Sequence, residues 1–279
     1  MNLNFPIEET VRKRYSVRNY SDQPVDATTL DDLKSFIKTL HNPFGKQINF
    51  HFLDLKETQP TEKLGTYGVI KGARHFVGTT IKEEPMVFEA LGYEFEVLVL
   101  YLASKGLGTC WLGGTFNRGG YASAMNLDAD DLFPIMSPFG YPADKKHIKE
   151  LAMRKVIKAD QRVPFDKLFF HENFETPLSE DIAGDYKSAL EMVRLGPSAS
   201  NKQPWRILLK EGVFHFYEYK TPGYSNSFSY DIQQIDMGIA AAHFHLYALE
   251  HNLNGRFDQV APALNLPEHM IYRFSWIPE

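Results

Sequence analysis

The chain has 279 residues, 43% apolar and 23% charged, the balance of an ordinary globule that can bury a sizeable core in one domain or two. A formal charge of −5 argues against a general nucleic-acid binder. The single cysteine, Cys110, excludes an intrachain disulfide and an iron–sulfur cluster, and fits a reducing cytoplasm.

Residues 1–14 mix charges without an apolar centre, which is unlike a secretory signal. Residues 26–40 read as a first helix capped by Thr28 or Thr29, with Leu30, Leu33, Ile37 and Leu40 at helical spacing. Residues 49–55 alternate as a strand, and a second strand is expected around 76–81. Residues 89–105 form a helix that is apolar almost all round, as in a domain centre, and Gly106 ends it. A strand follows at 135–141, then a polar join at 154–164. After it come a helix at 180–195, strands at 205–210 and 213–218, and a helix at 232–250. Helices and strands mix without regular alternation, so the expected class is α+β. The longest apolar run, 97–103, is too short to span a bilayer.

The chain also resembles itself. A shift of 146 sets Gly92 on Gly238 and Leu107 on Leu253, a shift of 156 sets Gly45-Lys46-Gln47 on Asn201-Lys202-Gln203, and a shift of 153 sets Lys34-Ser35 on Lys187-Ser188. The expected organisation is a duplication, residues 1–158 and 159–279, joined in one compact unit. The two copies differ in what they carry. Arg14, Ser16 and Arg18 fall on Lys167, Phe169 and His171, so the arginines belong to the first copy only. The run from Pro197 to Trp205 belongs to the second.

In an extended segment Arg14, Ser16 and Arg18 project to one side, and two guanidinium forks with a hydroxyl suit a phosphate monoester. A solvated basic stretch has the same composition. The run Pro197-Ser198-Ala199-Ser200-Asn201 can bring backbone donors against a planar ligand, or can be an ordinary capped turn. The glycine-rich run 106–114 lacks the spacing of a dinucleotide fingerprint. Gly113 and Gly114 allow close approach to a flat ring, or simply a tight turn. Trp205 reads as core, Cys110 as a buried thiol and His147 as a surface residue. His243 and His245, two apart on a helix, cannot share a metal, and no metal motif is present.

Taken together, the Arg-x-Ser-x-Arg start, the Pro-Ser-Ala-Ser-Asn-Lys-Gln-Pro-Trp loop and Gly-Leu-Gly-Thr-Cys-Trp-Leu-Gly-Gly resemble the FMN-dependent nitroreductase family, in its branch with two protomer-like halves fused in one chain. The resemblance implies a nitroreductase-like pseudo-dimer of antiparallel and mixed sheets flanked by helices, compact as a monomer and cytoplasmic. It implies one FMN per chain, held by Arg14, Ser16 and Arg18 from one half and Pro197, Ser198, Ser200 and Asn201 from the other. Arg14 and Ser16 would take the phosphate, Arg18 the N1 and C2 edge of the ring, and Trp111, Leu112, Gly113 and Gly114 its face near N5. Arg154 would add a basic phosphate contact, although typical members space two basic residues there and this chain has Arg154 and Lys155 adjacent. Gly113 stands where some members have an acid. The implied activity is reduction of nitroaromatics, quinones or similar acceptors by NADPH or NADH, the flavin carrying the electrons. Flavin storage without turnover is the alternative, with residues 217–232 as a lid; oxygen-dependent chemistry on reduced flavin is a third.

Overall fold

The computed structural model describes residues 4–58, 64–145 and 147–279, so three residues of the amino-terminal segment read above lie outside it. The chain opens with helix α1 (Ile7–Lys13), whose first-turn Glu8 and Glu9 pair with last-turn Arg12 and Lys13. Helix α2 (Ala27–Ile37) is capped by Asp26 rather than by a threonine: its carboxylate accepts from the Thr29 amide at 2.9 Å. Strands β1 (Asn49–Asp54) and β2 (His75–Ile81), helix α3 (Val87–Ser104), strand β3 (Gly108–Thr109), helix α4 (Arg118–Ala124), strand β4 (Leu132–Gly140) and helix α5 (Ile148–Val156) follow. Then come strands β5 (Phe169–His171) and β6 (Asn173–Pro177), helices α6 (Glu180–Ala183) and α7 (Lys187–Leu195), strands β7 (Trp205–Lys210) and β8 (Val213–Tyr219), helix α8 (Gln233–Glu250), and strands β9 (Gly255–Asp258) and β10 (Met270–Pro278). The single helix expected over 180–195 is broken at Gly184, whose φ of +53° suits a residue without a Cβ.

Two sheets share one plan. The first has the order β1-β2-β4-β3; the second has β7-β8-β10-β9, with β5 and β6 added beyond β7. The shared pairings are antiparallel in both, and β5 pairs with β7 in parallel and with β6 antiparallel. Strands β1 and β7 start and end 156 residues apart, while β2 and β8, like β4 and β10, are 138 apart. Between the members of the first pair and the second, residues 55–74 are replaced by the two-residue turn Glu211-Gly212, both at positive φ as a tight hairpin requires. Helices α3 and α8 are 146 apart at both ends, because residues 220–232 are longer than the matching link 82–86.

The central helices cross where their glycines meet. A Cβ on Gly92 would lie 2.0 Å from the Ile235 carbonyl oxygen, and one on Gly238 would lie 2.0 Å from that of Glu89. Gly92 and Gly238 are 146 apart, as are Glu89 and Ile235, so the crossing is a pseudo-two-fold. Residues 87–100 of α3 are all buried, between the first sheet on one side and α8 on the other. Among the described residues, no helix is long and apolar enough to cross a membrane, and no group of acids, histidines or cysteine could hold a metal.

Candidate active site

The arginine segment leaves α1 in extended geometry, Arg14 having φ −61° and ψ 133°. It is pinned on both sides. Ser16 bridges Thr109 in parallel, Val17 N donates to Thr109 O at 2.8 Å, and Arg18 O accepts from Lys71 N at 2.9 Å. The approach to β3 depends on Gly108, where a Cβ would come within 2.4 Å of the Val17 side chain. Arg14, Ser16 and Arg18 line the same cavity, as the period-two spacing predicts.

The opposite wall is the loop after α7. Ser200, Asn201 and Gln203 all have positive φ (48°, 56° and 50°), an uncommon run for residues with side chains. Side chains hold it. Ser198 Oγ accepts from Gln203 N at 2.9 Å, and Asp236 Oδ1, in the first turn of α8, accepts from Ala199 N at 2.9 Å. Asn201 donates to Lys158 O and Gln161 O, so the loop is tied to the chain that joins the two sheets.

Between these walls lies a cavity of about 310 Å³, a size typical of small-ligand sites. Of the residues expected there, Arg14, Ser16, Arg18, Trp111, Gly113, Arg154, Pro197, Ser198, Ser200 and Asn201 line it. Leu112 and Gly114 do not. Leu112 exchanges backbone hydrogen bonds with Met136 and packs in the apolar cluster around Phe116 and Phe133, and Gly114 faces the Phe228 ring. On a strand-like turn, alternate residues face opposite ways, so a run of four consecutive contacts was not available.

The cavity is electropositive and partly greasy. Ile135, Ile232, Ile235, Ile239 and Leu195 share its lining with Trp111. The Arg14 side chain is buried, its Nε has no hydrogen-bond partner among the described residues, and the Glu96 carboxylate is 3.9 Å from Nε. Burial lowers its pKa, with Glu96 opposing. Arg154 is paired with Asp160 on the cavity wall. Among the described residues, Nε of Arg14, Arg18 and Arg162, and Oδ2 of Asp236, are buried without hydrogen-bond partners. Polar groups buried in this state are costly unless a ligand meets them, and convergent guanidinium groups favour a phosphate.

Arg162 and Asp236 are among the lining residues that the sequence reading does not anticipate. Arg162 sits in the stretch read as a join. It donates to Leu195 O and Asn201 Oδ1, and burial, then the nearby charge of Arg14, lowers its pKa. Asp236 falls on Ala90 in the self-comparison, and an acid in place of an alanine was the available signal. Burial pushes its carboxyl well above the ordinary range, Glu218 and Asp231 adding to the effect. His147, expected at the surface, is instead half-buried and caps α5. Trp205 and Cys110 are buried, as expected.

The pseudo-symmetric position has no equivalent cavity chemistry. There Ser200 is matched by Phe44, Trp111 by Phe257 and Ile239 by Tyr93. The Phe44 ring lies 5.8 Å from Phe257, 5.2 Å from Phe274 and 6.5 Å from Tyr93. A more open pocket of about 330 Å³ lies over this cluster, and among its described lining residues the one cation, Lys46, is paired with Glu84.

An α+β fold of two like sheets around crossed helices, with an arginine-lined cavity between them, is a nitroreductase-like architecture. The chain belongs to the family described as "Putative TM nitroreductase", whose model matches residues 6–248. It is similar in structure to a putative nitroreductase from Thermotoga maritima, at 20% identity and a TM-score of 0.63 over 99% of this chain and 95% of that one. An FMN-dependent nitroreductase from Clostridium difficile aligns with 52% of this chain and 95% of its own, at 18% identity and a TM-score of 0.41. A mutant FMN- and NADPH-dependent nitroreductase from a Sphigopyxis strain aligns with 50% of this chain and 89% of its own, at 14% and 0.41. No curated protein matches the chain significantly.

Proposed function

We propose that the chain binds one FMN in this cavity and uses it to pass electrons from NADPH or NADH to a nitroaromatic, quinone or similar conjugated acceptor. The observation that carries the reading is the meeting of Arg14, Ser16 and Arg18 with Pro197, Ser198, Ser200 and Asn201 around one cavity, from opposite ends of the chain. The unpartnered guanidinium nitrogens fit a phosphate, and the isoleucine and tryptophan wall fits a flat ring.

When bound, FMN would supply hydride acceptance and electron release. The chain's own groups bind and orient. Arg14 and Ser16 would hold the phosphate, with Arg154 adding charge, and Arg18 would place a cation at the pyrimidine edge of the ring. Gly113 leaves room on the wall, since a Cβ there would come within 2.6 Å of Ile232 Cδ1. Two halves, 1–158 and 159–279, would thus make one site, and the chain would be monomeric because its dimer-like interface is internal.

The storage reading keeps one supporting observation. Within the segment 217–232, whose first residues belong to β8, Tyr224 donates to Ser200 Oγ at 2.8 Å and Ile232 lines the cavity. Purified protein should be yellow and should bleach with NADPH or NADH. Bound flavin that oxidises neither dinucleotide would favour storage, and a protein that FMN cannot colour ends both readings.

A further inference from the structure

Beneath the cavity lies a buried polar chain that spans both central helices. Glu96 of α3 accepts from Trp111 Nε1 at 2.9 Å through one oxygen. Its other oxygen is 2.8 Å from His243 Nε2 on α8 and 3.9 Å from Arg14 Nε. His243 Nδ1 is 2.8 Å from the carbonyl oxygen of Met192, which can only accept, so that nitrogen donates. Glu96 and His243 are both fully buried.

The pseudo-symmetry supplies a control. The shift of 146 sets Glu96 on Ala242 and His243 on Val97, both fully buried apolar residues. Packing at this crossing therefore needs no charge. The fold keeps this particular pair of ionisable groups, which are expensive to bury, on the side where the cavity lies. Two of the groups they hold, Arg14 and Trp111, line that cavity.

We propose that Glu96 is a positioning residue: braced by His243, it fixes the Trp111 indole and the Arg14 guanidinium in the geometry that receives the ligand. Docking of α8 against α3 would then set the shape of the site as well as the stability of the fold. The proposal rests on the flavin reading for the identity of that ligand.

The test uses two readouts on the full chain. The three tryptophans give three indole N–H resonances, and Trp111→Phe assigns one of them. Glu96→Met removes the acceptor at similar volume; Glu96→Gln retains it. Glu96→Met should speed exchange of the Trp111 indole proton and raise the FMN dissociation constant at least about tenfold, whereas Glu96→Gln keeps the exchange slow and affinity within about threefold. In a Trp111→Phe background the effect of Glu96→Met on affinity should shrink, as expected for residues acting through one another. If Glu96→Met does not fold, His243→Gln removes the brace and must move both readouts in the same direction. Unchanged exchange, or loss of affinity fully additive with Trp111→Phe, overturns the proposal. Wild-type protein that binds no FMN refutes the flavin reading instead, and the indole exchange alone then decides whether Glu96 holds Trp111.

Discussion

Gly92 and Gly238 lie against each other's helices at the crossing of α3 and α8, each leaving 2.0 Å between its missing Cβ and a backbone oxygen. Backbone cannot yield as a side-chain tip can. Gly92→Ala or Gly238→Ala should therefore separate the helices and cost about 3 kcal/mol or more, the upper end of overpacking penalties. Denaturant titration reads this. A loss under about 0.5 kcal/mol for both variants would mean the helices do not cross so closely.

Arg14→Ala with Arg18→Ala should weaken FMN by about 3 kcal/mol or more, at least a hundredfold in Kd, since a charge-assisted hydrogen bond contributes about 1.5–3 kcal/mol. Fold stability should change far less than affinity, because Nε of both guanidinium groups is buried without a hydrogen-bond partner among the described residues and Glu96 keeps Trp111 and His243 when Arg14 is removed. Calorimetric FMN titration checks the first part and thermal unfolding the second. Unchanged affinity removes Arg14 and Arg18 from the phosphate site.

Much of this arrangement was legible in the sequence. The bounds of β7 and of the buried helices α3 and α8 lie within two residues of the sequence reading, because each has a cluster of apolar residues between clear end signals. The convergence of Arg14, Ser16 and Arg18 followed from period two alone. Other parts were hidden. Helix α1 has too few turns for periodicity to show, and β5 and β6 are three and five residues long. Strand β10 carries a strand signal, since Ile271 to Trp276 is rich in strand-forming residues, but no turn pattern before it marks a hairpin. The 138-residue shift between strands is visible only in the backbone, because the matching side chains differ. Glu96 and His243 could not be paired, since nothing in a single sequence says which buried acid meets which histidine.

Glu94 gives a pH prediction. Burial pushes its carboxyl up from an ordinary 4.5 to about 7, against the opposing hydrogen bond from Asn42. Below about pH 4.5 folded and unfolded chains both hold the proton. Between that and about pH 7 the unfolded chain releases it first, so stability falls as pH rises. Glu94→Gln should remove this slope. Its advantage over wild type should grow from nothing near pH 4.5 to at most roughly 3 kcal/mol at pH 8. Urea midpoints at the two pH values measure it; an equal difference at both would contradict the assignment.

Phe44 fills the pseudo-symmetric position with aromatic carbon. Phe44→Ser, which restores the small hydroxyl residue of the other half, should lower stability by up to about 3 kcal/mol through lost packing. It should create no second flavin site, because the guanidinium groups are still missing there. Absorbance titration of the variant should saturate at the wild-type stoichiometry, and a doubling would overturn the account of that side.

The most direct measurement is the number of FMN molecules bound per chain, read from visible absorbance across a size-exclusion peak with light scattering. One flavin per chain, in a particle of single-chain mass, is the expected result. Two flavins per chain, or one shared between two chains in an obligate dimer, would contradict a site built once from the two ends of a single polypeptide.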